Sequence, residues 1–193
     1  MEQEATRPSR PTRKQLAAAF GKAVPDVIAP ALKVLFCGIN PGLYSAAVEH
    51  HFARPGNRFW PALHAAGFTE RLLSPFEERA LLQRGYGITN LVARATGAAD
   101  ELTSEELIEG GRRLKKKILR YRPAVVAFVG VTAYRTAFRR ARASVGRQPE
   151  KIGSAGVWLL PNPSGLNAHY RLQDFVRLFT ELRRAPELAS GVA

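Results

Sequence analysis

Three short apolar runs closed by turn residues leave this chain very few folds to choose from. Residues 33–39 (KVLFCGI) end at Asn40-Pro41-Gly42, residues 124–130 (AVVAFVG) repeat the pattern, and residues 156–160 (GVWLL) repeat it again before Pro161. A strand covered on both faces loses its polar alternation, so each run reads as an interior strand of a parallel sheet. Residues 86–92 (YGITNLV) are a weaker fourth candidate. Segments of helical period fill the intervals at 58–66, 75–83, 104–121, 132–143 and 172–183. Strands alternating with helices predict an α/β chain, a three-layer sandwich whose mostly parallel central sheet has about four strands. The best-marked helix start is Thr103, which forms a capping box with Glu106, while Glu105 and Glu106 complement the positive end of the dipole. The last turns of that helix carry Lys115, Lys116, Lys117 and Arg120, which read as a solvated face at its negative end.

Apolar residues make up 46% of the chain and charged residues 23%, the balance of one globular domain, which excludes a disordered or collagen-like polymer. Residues 1–14 (MEQEATRPSRPTRK) read as a mobile basic tail and 15–193 as a single domain, whose helix formers at 16–20 end at Gly21. Lys and Arg number 29 against 16 Asp and Glu, a net charge of +13 that favours a polyanionic partner, with nucleic acid the first candidate. A single cysteine, Cys37, forbids an intramolecular disulfide or an all-cysteine metal site and points to a reducing compartment. Its place inside an apolar run marks it as a buried, inert thiol. No run approaches the ~18 to 20 apolar residues of a membrane span, and no signal peptide is visible, so a soluble intracellular protein without membrane contacts is expected. His50, His51, His64 and His169 lack metal-ligand spacing, and residues 85–90 (GYGITN) lack the third glycine of a dinucleotide fingerprint. No metal and no cofactor is expected.

In an open parallel sheet the ligand crevice lies beyond the carboxyl ends of the strands. Unusual sequences fall at that edge: GINPG after the first run, TNLV at the second and PNPSGLN after the last. Asn40 brings a carboxamide to the edge. It can accept a hydrogen bond from a water and orient it, but it cannot remove a proton. Such a group suits a bond whose leaving group carries its own negative charge; a turn-capping asparagine is the other reading. Further along, Phe59 and Trp60 begin a helix and are expected in the core, whereas Phe52 lies outside any periodic pattern and is the better base-stacking candidate. Leu166, on a glycine-bearing loop, fits either an apolar wedge between base steps or packing under the loop.

GINPGL, HHFARPGNRFW, GYGITNLVAR and PNPSGLN, in this order, resemble the mismatch-specific uracil-DNA glycosylase and thymine-DNA glycosylase family over about residues 25–182. The resemblance implies a uracil-DNA glycosylase-like fold. It also implies a monofunctional DNA glycosylase removing uracil, and related damaged pyrimidines, from double-stranded DNA, above all opposite guanine. A cytoplasmic, nucleoid-associated bacterial monomer is implied with it. By the same resemblance Asn40 orients the attacking water and Phe52 stacks on the flipped base. The backbone around Ile39 and Phe52 reads the base edge, with Gly42, Ser45, His51 and Asn162 completing the pocket. Arg58, Ser164, Gly165, Leu166 and Asn167 meet the DNA, Leu166 as the plug. His50-His51-Phe52 resembles the thymine-processing branch, whereas PNPSGLN and Ser45 resemble the bacterial uracil-processing one, in which this region crowds the thymine methyl. Asp100 is acidic where the family is not consistently so, and reads either as an auxiliary general base or as a solvated carboxylate. Two other readings are a mismatch-sensing module that does not cut, and a glycosylase of another class that prefers single strands.

Overall fold

The computed structural model describes residues 10–189. Its centre is a five-stranded sheet in the order β2-β1-β3-β5-β4, built from β1 (Val34–Gly38), β2 (Tyr86–Asn90), β3 (Val125–Val129), β4 (Gly146–Ile152) and β5 (Ala155–Leu160). β1 pairs with β2 and β3, and β3 with β5, all in parallel, while β4 is antiparallel to β5. The expected three-layer α/β sandwich is present, with one strand more than expected. β4 (GRQPEKI) holds no apolar run: Gln148 and Ile152 point inward, charged residues alternate with them, and Pro149 sits where an edge strand tolerates a missing donor. An edge strand paired on one side gives a weak hydrophobic signal, and so it does not show in the sequence.

Alternation along each strand divides the core between two layers. Val34 and Phe36 face α3 (Phe59–Ala65) and α6 (Leu172–Arg183), where Phe36 meets Phe59, Phe68 and Phe179 with ring centroids 5.3 to 5.8 Å apart. Leu35 and Cys37 face α4 (Ser104–Tyr121) and α5 (Val131–Ala137), packing with Leu114, Ile118 and Tyr134. Fully burying side chains of this size stabilises by ~1.5 to 3 kcal/mol each, which is why the apolar runs dictate the sheet. Cys37 is buried as expected, and burial pushes its thiol well above the ordinary range. Phe59 and Trp60 are likewise buried.

Helix expectations hold at α4 and α6 and fail in detail elsewhere. α5 stops at Ala137, not at residue 143, because Phe138 leaves the helix to stack on Tyr134 and Arg139 turns left-handed. Residues Pro75–Arg84 form a 3-10 helix whose buried residues, Glu78 and Leu81, lie three apart, the period of that helix. The first helix, α1 (Arg13–Ala18), is capped by Thr12 and so takes Arg13 and Lys14 out of the expected tail; residues 1–9 of that tail lie outside the described residues. An arm at Val27 exchanges backbone hydrogen bonds of 2.9 and 2.8 Å with Ile88, covering the free edge of β2. No helix among the described residues is long and apolar enough to cross a membrane.

Candidate active site

The turns after β1, β2, β3 and β5 surround one cleft of about 450 Å³ at the carboxyl edge of the sheet, within the usual size of a small-ligand site. The gathering of GINPG, TNLV and PNPSGLN on one edge, expected from strand order alone, is what the tertiary structure builds. Ile39, Asn40, Gly42, Ser45, His51, Phe52, Asp100, Asn162, Ser164, Leu166 and Asn167 all line the cleft.

Asn40 lies two residues past the end of β1, and its side chain is locked. Its Nδ2 donates to the Arg94 carbonyl at 3.0 Å and to the Thr96 hydroxyl at 2.7 Å. The Thr96 hydroxyl gives its own proton to the Ala98 carbonyl at 2.6 Å, so it can only accept from Asn40. Two obligate acceptors fix the amide orientation and leave Oδ1 as the acceptor available to the cleft. Arg94 is itself held: its guanidinium is paired with Glu106, at 2.8 Å for Nη2, and holds that carboxyl down at about 2. Glu106 also closes the capping box of α4, so the helix start anchors the loop that orients Asn40.

Phe52 adopts a left-handed φ of 53°, unfavourable by roughly 1 to 2 kcal/mol for a residue with a side chain. Its ring stacks on Phe59 at 4.1 Å and 20°, and it lines the cleft. Gly38 lies directly beneath: a Cβ there would sit 2.5 Å from Asn90 Oδ1 and 3.3 Å from the Phe52 ring. Burial pushes the His51 pKa down, more strongly than the nearby Glu78 raises it, and so favours the neutral ring. Its Nε2 donates to the Pro25 carbonyl at 2.9 Å, which leaves Nδ1 facing Asn90 Nδ2 at 3.4 Å. The backbone N–H of His51 donates to buried Glu78 at 2.8 Å, and its carbonyl accepts from Trp60 Nε1 at 3.2 Å. Ser45 Oγ accepts from Ala53 N–H at 3.1 Å. These contacts set the Phe52 turn against β1. Gly42 opens α2 (Leu43–Val48), and the space where its Cβ would project is empty, leaving the backbone open to a ligand.

Leu166 projects into solvent, 75% exposed, from a loop with little freedom. The Arg58 side chain donates to four carbonyls of that loop, those of Pro163, Ser164, Asn167 (2.9 Å) and Tyr170, and its guanidinium lies 4.9 Å over the Phe175 ring. Arg58, expected among the DNA contacts, thus directs most of its donors inward and holds the loop. Within the loop, Asn162 Oδ1 accepts from Ser164 N–H at 3.0 Å, and Asn167 Nδ2 donates to the Asn162 carbonyl at 2.9 Å. Gly165 lies so close to the 54–57 turn that a Cβ would sit 2.9 Å from the Gly56 carbonyl.

Asp100 is exposed at the rim, on the short 3-10 turn Ala99–Glu101 that follows Thr96. Asn90, Arg94, Thr96 and Glu78 do not stand out as site residues in the sequence. Asn90 has a signal there, as the last residue of a run ending in TNLV. The other three act through contacts distant in the chain and have none. Among the described residues no group of three or more His, Cys, Asp or Glu is arranged to hold a metal ion.

Topology and cleft together define an α/β protein with a ligand-sized cleft at the carboxyl edge of a mostly parallel sheet. Residues 25–183, most of the chain, match the model of the Uracil DNA glycosylase superfamily, and the chain belongs to that superfamily. Its fold is similar to the solution NMR structure of a Methanosarcina acetivorans protein described as a candidate uracil DNA glycosylase. The two share 19% identity with a TM-score of 0.57, over 85% of this chain and 99% of that one.

Proposed function

We propose that this chain hydrolyses the N-glycosidic bond of uracil in double-stranded DNA, above all opposite guanine, after flipping the nucleotide into the cleft. The locked amide of Asn40 carries the reading. Flipping is required because the target carbon is unreachable inside the stack. Leu166 fills the vacated space, Phe52 takes the face of the base, and backbone groups around Ile39 and Phe52 meet its polar edge. Asn40 Oδ1 accepts a hydrogen bond from water and aims its oxygen at C1′ of the sugar. As the C1′–O bond forms, the electron pair of the C1′–N1 bond leaves with uracil as a stabilised anion. The proton shed by water passes to solvent, with Asp100 at the rim as an auxiliary acceptor. Positioning and electrostatic stabilisation then supply the rate without metal or cofactor. Ser45 lines the cleft, and its likeness to the uracil-processing branch supports a pocket wall that crowds a thymine methyl and so favours uracil over thymine.

Release of uracil from a G:U duplex tests the proposal. Asn40→Ala should lower turnover by about 10²- to 10³-fold with little change in DNA binding. Equal turnover in the variant would overturn the assignment, and a wild-type protein that binds the duplex without releasing uracil would make it a mismatch sensor. Faster release from single strands would move the chain to another glycosylase class.

A further inference from the structure

The charge that marks this chain as a partner of polyanions is not concentrated at the cleft. Of the arginines nearest to it, Arg58 is spent on the Leu166 loop and Arg94 on Glu106, leaving Arg54 exposed at the rim. A dense group of exposed cations lies at the other end of the molecule. α4 starts at the carboxyl edge of the sheet and runs back to the amino edge, where β3 begins, so Lys115, Lys116, Arg120 and Arg122 are carried away from the cleft. The tip of the β4–β5 hairpin is also at that edge, since Ile152 pairs with Ala155 at the start of β5.

These elements form one continuous face. α4 packs on α5 where Gly111 meets Ala137, next to exposed Arg139 and Arg140. Arg140 reaches Glu150 of β4 at 3.5 Å, whereas Lys151, the next residue, points to the opposite face of the sheet, beside Glu187. The hairpin tip then returns to α4, where a Cβ on Gly153 would lie 2.7 Å from the Leu119 side chain, flanked on the helix by Lys115, Lys116 and Arg122. Lys115, Lys116, Arg120, Arg122 and Arg139 are all exposed, and none makes a salt bridge among the described residues. The acids on this face are already engaged, Glu109 by Arg112 and Arg113 and Glu150 by Arg140 and the Tyr134 hydroxyl.

We infer that this face, on α4 and the end of α5 beside the tip of the β4–β5 hairpin, is a second binding surface for duplex DNA, separate from the cleft and indifferent to sequence. Like charges held together without acidic partners repel one another, and a polyanion that releases its counterions on binding relieves that cost. The make-up of the face favours a nucleic acid over an acidic protein. Leu119 is its one large exposed apolar residue and it has no exposed aromatic anchor, whereas protein interfaces are depleted of charge at their centres and enriched in aromatics. The choice of DNA as the polyanion rests on the proposed function of the cleft; the existence of the surface does not.

Titration with a short uracil-free duplex at low salt tests the inference, alongside uracil release from a short G:U duplex. Wild type should take up a second duplex per chain, and Lys115→Gln/Lys116→Gln/Arg120→Gln should take up only one. The salt dependence of overall binding should become shallower by about two to three in the log–log slope, roughly one for each phosphate no longer neutralised. Release of uracil from the short duplex should be unchanged in this variant. Arg139→Gln, outside α4, should make the slope shallower by about one and so exclude a local defect of α4. An unchanged stoichiometry and slope in both variants would overturn the surface, as would tighter binding of a polyglutamate peptide than of DNA by the same residues. Absence of uracil release by wild type would count against the reading of the cleft and leave the titration fully interpretable.

Discussion

The cleft and the basic face stand at opposite ends of one sheet and are built on opposite principles. At the cleft nearly every polar group is committed: Asn40 to Arg94 and Thr96, His51 to Pro25, Arg58 to four carbonyls. On the basic face Lys115, Lys116, Arg120, Arg122 and Arg139 stand in solvent without a carboxylate salt bridge among the described residues. Chemistry needs groups that do not move when the reacting atoms arrive, whereas attraction to a phosphate chain needs only charge. Net charge therefore indicates that a polyanion binds, and it is a poor guide to where the reaction takes place.

The contrast can be broken most severely at Asn40, where removing the amide should cost about 10² to 10³ in turnover and leave both DNA surfaces intact. Arg58 comes next. Arg58→Gln should lower uracil release from duplex by about 10- to 100-fold, chiefly through KM, because the Leu166 loop loses its register. Arg58→Lys should not restore it, since a point charge cannot reach carbonyls spread over residues 163–170. Steady-state rates with both variants decide the matter, and wild-type kinetics in either would return Arg58 to an ordinary surface role.

α4 belongs to both regions, its first turn anchoring Arg94 and its last turns carrying the basic face. Midway, a Cβ on Gly110 would sit 2.4 Å from the Leu91 carbonyl, a backbone atom that cannot simply swing aside. Gly110→Ala should therefore destabilise by ~1 to 3 kcal/mol, read as a lower melting temperature. The smallest effect concerns protons. His51 has a folded pKa below its ordinary 6.5 because burial disfavours the cation. The unfolded chain takes up that proton first as pH falls, so the stabilisation is complete above 6.5 and is lost as pH falls through the folded value. Melting curves on either side of 6.5 should show a decline that His51→Gln lessens; an identical decline in the variant would assign it to other groups.

Much of this architecture could be read directly from residue order. β1, β3 and β5 declare themselves because strands buried on both faces must be continuously apolar, and α4 because its capping box is local. Asn40, Phe52 and Leu166 stand out by being unusual where strands end. β4 does not, since a charged edge strand interrupted by Pro149 resembles a loop until a partner pairs with it. Arg58 is ambiguous for a related reason: an arginine beside aromatics looks alike whether its donors meet phosphates or its own chain.

Short-range order thus determined the strands, the best-capped helix and the edge of the sheet at which a site would form, because burial and capping act over a few neighbouring residues. Only the tertiary structure decided that Thr96 and Arg94 lock Asn40, that Glu78 and Trp60 hold the Phe52 turn, and that the surplus charge gathers far from the cleft. Those outcomes depend on which distant segments meet, and a hydrogen bond or a shared electrostatic face has no existence until the chain has brought its members together.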